Sequence, residues 1–444
     1  MNEQDNQSRQ PDSWWNGTSE AADQNAATSK AANQIPNNRS SKKALKIGLG
    51  VGAVVLLVTI VVLIVVLNLP KNTTTNESSE TTASSSEQSS SEQIMSTTLS
   101  SGSVTATIGG KSITYNAAYL VDGIDVTISG GTFASTSDDQ VTFLVINGGS
   151  LKIEGDVVIN KTGSSDFSGR GDNYSFYGTN SAITVVGEKS SVNINGATIT
   201  TNVSGANAVV ATNGATATVE NTTISTEKDN SRGLHATYGG SINADTTSIS
   251  TKGGSCASLA TDRGSGTVVA DNMTLNTAGA GSPLIYSTGN ITVTNSKGTA
   301  TGAQIAVVEG KNSITLQGCN FSANGIGNRN NVDNAAVMIY QSMSGDADTG
   351  TGSFTATDCT LTVLDSSSQY TATPFFFITN TDATIDLTSV TANFSSSQKF
   401  IVARGTSEWG RANSNGGKVT VSVSNLTATN TETEVDDISS ISGL

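Results

Sequence analysis

Charge, aromatic rings, proline, cysteine and histidine are all scarce in this chain of 444 residues. Charged residues make up 14% and aromatic residues 5%, with 5 prolines, 3 cysteines and 1 histidine. Each shortage excludes something. Cys256, Cys319 and Cys359 are too few and too odd in number for a disulfide framework, so they read as buried free thiols. The one histidine, His235, has no cysteine or second histidine nearby. Neither a zinc-type ligand spacing nor a Ser-His-Asp arrangement is present, and His235 reads as a strand-face residue. No cofactor or metal is expected. The net charge is −14 and no basic stripe occurs, so nucleic acid is not an expected partner.

The chain is instead rich in Ser, Thr, Asn and Gly, with 45 glycines. That composition suits short strands joined by many tight turns, because Gly, Asn and Asp tolerate the left-handed backbone that turns require. It sits poorly with a thick layered core.

Four segments follow from composition. Residues 1–46 are polar, lack hydrophobic periodicity and read as a disordered tail, with the adjacent Trp14 and Trp15 as its one unusual feature. Residues 47–69 read as a transmembrane helix: Ile47 to Leu67 contain no charge, and such a run spans a hydrocarbon core of about 30 Å. Arg39, Lys42, Lys43 and Lys46 crowd its N-terminal flank, whereas only Lys71 follows closely. The positive-inside rule then puts residues 1–46 in the cytoplasm and the C-terminal mass outside. Residues 70–100 form a Ser/Thr-rich extracellular linker with nothing to bury. A single anchor of this kind suits a Gram-positive-type cell envelope.

Residues 101–444 repeat one phrase. SVNINGATIT (191–200), ATVENTTIS (217–225), SINADTTSIS (241–250) and NSITLQGCNFS (312–322) share four inward positions spaced V-x-I-x-x-A-x-I. Val192, Ile194, Ala197 and Ile199 define the template, and its last position recurs at 224, 249 and 275, a period near 25. Such a period signals a solenoid. Two coils fit poorly, near Leu151/Ile153 and Ile291/Val293. Ahead of each template lies another short apolar strand, among them NAVVAT, GLHATY, QIAVVE and AVMIY. The expectation is an all-β, right-handed parallel β-helix of about eleven coils. Cys319 and Cys359 fall at one template position in adjacent coils, which makes them the one plausible bridge.

The phrases YGGSINADTTSIS, TDRGSGTVVADN and VEGKNSITLQGC resemble the pectate-lyase-like right-handed β-helices of bacterial cell-surface proteins, often adhesin-like. The resemblance covers roughly residues 100–444 and implies the fold. It leaves activity open between adhesins, polysaccharide lyases and hydrolases.

Enzymes of that class carry carboxylates on the outer face of one sheet. Here the leading strands offer small or apolar residues, and the platform is expected to lack paired carboxylates. Asp262 with Arg263, and Glu309 with Lys311, are the best remaining candidates, two coils apart; both read as solvated turn charges with a local basic partner. Insertions interrupt the rhythm at 160–180, 325–334, 341–352 and 404–418. They carry the expected binding residues: Arg170, Asp172, Tyr174, Phe176 and Tyr177 in the first, Trp409 and Arg411 in the last. Arg170-Gly171-Asp172 also resembles the integrin-binding tripeptide. The expected function is a membrane-anchored, non-catalytic adhesin or structural rod. Its expected partners are the lipid bilayer, through 47–67, and a polysaccharide or host-surface ligand. A membrane-tethered carbohydrate-active enzyme is the alternative.

Overall fold

The computed structural model describes residues 99–327, 334–342, 344–364, 374–406 and 417–444. Ile47 to Leu67, Trp14, Trp15, Trp409 and Arg411 lie outside these residues. Among the described residues no helix is long and apolar enough to cross a membrane.

The described residues form an all-β, solenoid-like structure of two long sheets, with 13 strands in the first and 18 in the second. Pairing is parallel except for one hairpin, Gly102–Ile108 with Lys111–Asp122, which opens the first sheet. Gly109 and Gly110 close it with φ of 55° and 78°. A two-residue turn with both φ positive matches the twist of its strands, and glycine adopts it without strain.

The template strands stack in the register their spacing predicts. Val192 lies beside Ala217, then Ile242, then Val268; Ile199 lies beside Ile224, then Ile249, then Leu275. All eight are at most 2% exposed and belong to one continuous core. No single coil could bury these residues, because each inward face is closed only by the coils beside it. The two poorly fitting coils are in register as well. Leu151 and Ile153 pair with Val192 and Ile194, and a bulge after Glu154 absorbs the extra residues. Ile291 and Val293 pair with Val268 and Ala270, but the next rung puts Gly298 beside Leu275, so the ladder loses an apolar side chain there.

The leading apolar stretches build the first sheet: Val209–Thr212, Leu234–Thr237, Leu259–Thr261, Ile285–Ser287, Ala306–Glu309 and Val337–Tyr340 pair in succession. All of their residues are buried, so neither face of this stretch meets solvent. That explains the near-continuous apolar runs, the usual signature of parallel strands covered on both sides. The inner face joins the main core. The outer face is covered by chain from elsewhere, and it carries buried carboxyls where the platform was expected to lack a pair of them.

Candidate functional site

Two insertions roof the outer face of the first sheet. The first, expected as a loop, contains an α-helix, α1, at Phe167–Tyr177. The Asp166 carboxylate accepts from Gly169 N–H at its start, and Gly178 ends it in the left-handed region, φ 70°. The last four carbonyls of a helix have no partner within it. Here side chains on or just before strands of the first sheet supply all four. Asn207 Nδ2 donates to Tyr174 O (3.2 Å), His235 Nε2 to Ser175 O (2.8 Å), Thr237 Oγ1 to Phe176 O (2.8 Å) and Tyr115 Oη to Tyr177 O (2.8 Å). Arg232, fully buried, adds Nη1 to Ser175 Oγ at 3.2 Å, placing positive charge by the negative end of the helix dipole.

This seating changes what the expected binding residues of the insertion offer to a ligand. Tyr174, Phe176 and Tyr177 are at most 1% exposed and pack on the sheet, so they offer no free ring to a sugar. Arg170 and Asp172 keep side-chain exposures of 52% and 42%; Arg170 Nη1 pairs with Asp139 Oδ2 at 3.0 Å. The Arg-Gly-Asp tripeptide lies within the helix, with Arg170 at a kink (φ −131°, ψ 15°), not on an open loop.

Asp262 and Glu309 are also corrected. Neither is a solvated turn charge: both are fully buried, and with Asp346 of the 341–352 insertion they make a cluster of three carboxyls. Glu309 ends its strand with the side chain outward, beneath that insertion. Its Oε2 accepts from Tyr286 Oη and Tyr340 Oη, each at 2.6 Å; its Oε1 accepts from Ser342 Oγ and, at 3.5 Å, from Ser344 Oγ. Lys311, its expected partner, instead faces Asp348 at 3.0 Å.

Arg263 joins the two insertions. Its Nε and Nη2 donate to Asp346 Oδ1 at 2.9 and 2.6 Å, its Nη1 stands 3.7 Å from Asp172, and its guanidinium lies 3.8 Å over the Phe176 ring. A cation held over an aromatic face in a desolvated setting is attracted by the ring quadrupole. Asp262 receives the Arg263 backbone N–H at 2.9 Å and stands 3.6 Å from Arg232.

Burial governs the electrostatics here. It pushes the Asp262 carboxyl up to about 8, with Asp346 adding to the shift and Arg232 opposing it. Glu309 is raised for the same two reasons, burial and Asp346. His235 is held well below its ordinary value by burial and the Arg232 charge, so its ring is neutral with the proton on Nε2, facing Ser175 O.

Sequence reading missed Asp346, Tyr286, Tyr340, Ser342 and Arg232. One signal was present: Tyr286 and Tyr340 occupy outward positions of apolar strands, which on a bare face would leave large rings exposed. No group of three or more His, Cys, Asp or Glu among the described residues is arranged to hold a metal ion. Comparisons with protein-family models, with curated proteins and with solved structures find no match for the chain.

Proposed function

We propose that the chain is a membrane-anchored extracellular protein whose right-handed parallel β-helix, of about eleven coils, acts as a non-catalytic surface adhesin or structural/binding rod. The state of Glu309 carries the reading. Its carboxylate is fully buried, both oxygens are engaged, and the 341–352 insertion lies over it. A general acid or base must reach the proton it transfers, and in this state both Glu309 oxygens face only groups of their own fold. The regular stacking of strands about 25 residues apart supports the coil count. The charge-free run Ile47 to Leu67 and its basic N-terminal flank support one span, with residues 1–46 cytoplasmic and the rest outside a Gram-positive-type cell.

The ligand class is a polysaccharide or another cell-surface polymer. Arg170 and Asp172 at the rim of α1 remain accessible to it, as do hydroxyls and amides on the second sheet such as Thr223, Ser248, Asn276 and Asn320. A glycan array probed with the full chain in detergent tests the reading. Binding to a defined glycan set, weakened at least tenfold by Arg170→Ala with Asp172→Ala, supports it. Absence of binding to glycans and to intact cells counts against it.

The second reading is a membrane-tethered carbohydrate-active enzyme, favoured by the convergence of Asp262, Glu309 and Asp346 with Arg263, Tyr286 and Tyr340. It requires the 341–352 segment to lift. Its mark is release of sugar fragments from a polymer.

A further inference from the structure

The second sheet turns a corner at Gly318 and again, one coil on, at Asp358, with φ of 63° and 53°. The next residue in each coil is a cysteine. Gln317 pairs with Thr357 and Asn320 with Thr360, so Cys319 and Cys359 face each other in register. Adjacent parallel strands lie about 4.8 Å apart, within the Cα separation of about 4.4–6.8 Å that a disulfide spans. Both side chains point into the core and are 2% exposed. The Cys319 N–H donates to Cys359 Sγ at 3.4 Å, so the Cys359 sulfur leans toward the preceding coil. The facing sulfur holds Cys359 below, and Cys319 well above, the ordinary thiol value. Cys256 has no such neighbour, and burial pushes it up to about 12.

We propose that Cys319 and Cys359 are a redox-convertible pair that closes to an inter-coil disulfide when the chain meets a low-molecular-weight disulfide. The Cys359 thiolate attacks one sulfur of the oxidant, whose S–S bond breaks; the departing thiolate takes up the proton Cys359 released. Cys319 then loses its proton and attacks Cys359 Sγ, expelling the second oxidant thiolate, which takes that proton. Two protein thiols are oxidised and one small disulfide is reduced to two thiols. The bridge ties together both ends of the stretch that carries Ser342, Ser344 and Asp346 over Glu309 and Arg263. Oxidation therefore fixes the base of that cover.

The full chain is purified under reducing conditions and incubated with oxidised glutathione, both folded and during refolding from urea. It is then denatured, alkylated and digested for mass spectrometry. The expected result is a linked Cys319–Cys359 peptide, alkylated Cys256 and a Tm raised by about 5 °C, with neither the link nor the shift in Cys319→Ser. Full alkylation of both cysteines in both arms, or a glutathione adduct at Cys359 that never resolves, would overturn the proposal.

Discussion

Ile224 and Ile249 stand on neighbouring rungs of the inner ladder, 1% and 0% exposed, while Thr223 points to solvent one position away. Aspartate at either isoleucine would bury an unpaired charge between two coils, at a cost of roughly 3–5 kcal/mol. Thr223→Asp should change stability by no more than about 0.5 kcal/mol. Urea unfolding of the three variants checks both; equal losses would mean that the register is wrong. Asp262 gives a second residue-level test. Its folded value, about 8, lies above the ordinary carboxylate value, so the native state binds more protons than the unfolded chain between those limits. Stability from this group is therefore fullest at acid pH and declines as pH rises toward about 8. Asp262→Asn should flatten that decline, read as Tm against pH; an unchanged slope would contradict the burial argument. The ladder was legible in sequence because period-two alternation marks which side chains turn inward. Asp262 and Glu309 were misread because alternation assigns a face but not what covers it. Arg263 and its Asp346 partner are 83 residues apart, and no local pattern links them.

Among elements, α1 shows how an insertion becomes part of a fold. FSGRGDNYSFY has two glycines and no clear apolar stripe, so no helical period announces it. Its stability comes from tertiary contact, chiefly the four carbonyls met by Asn207, His235, Thr237 and Tyr115. Only the termini carried a sequence signal, an Asp before the helix and a Gly after it. Gly178 is a sharp test, since φ is 70° and an added Cβ would lie 3.0 Å from Thr184 Oγ1 and from Val210. Gly178→Ala should cost about 1–2 kcal/mol, measured by thermal unfolding. Replacing 163–178 by a short turn, which a loosely attached loop would tolerate, should cost on the order of several kcal/mol, because Arg232 and His235 lose the roof that satisfies them. A deletion without effect on Tm would mean that the helix is not a structural cover.

At the scale of the molecule, the described residues form a solenoid-like structure whose carboxylate-bearing face is closed. The proposed anchor at residues 47–67 carries a prediction of its own: protease added to intact cells should remove residues 101–444 and spare residues 1–46. Protection of the C-terminal domain would reverse the topology. The central proposal is that the chain binds a surface polymer and that its buried carboxyls perform no chemistry. The most direct measurement is release of soluble sugar fragments from cell-wall and plant polysaccharides by the full chain, beside Glu309→Gln and Asp262→Asn. The account predicts no release above background from any of the three proteins, with glycan binding retained in both variants. Release by the unaltered chain that either substitution abolishes would contradict it.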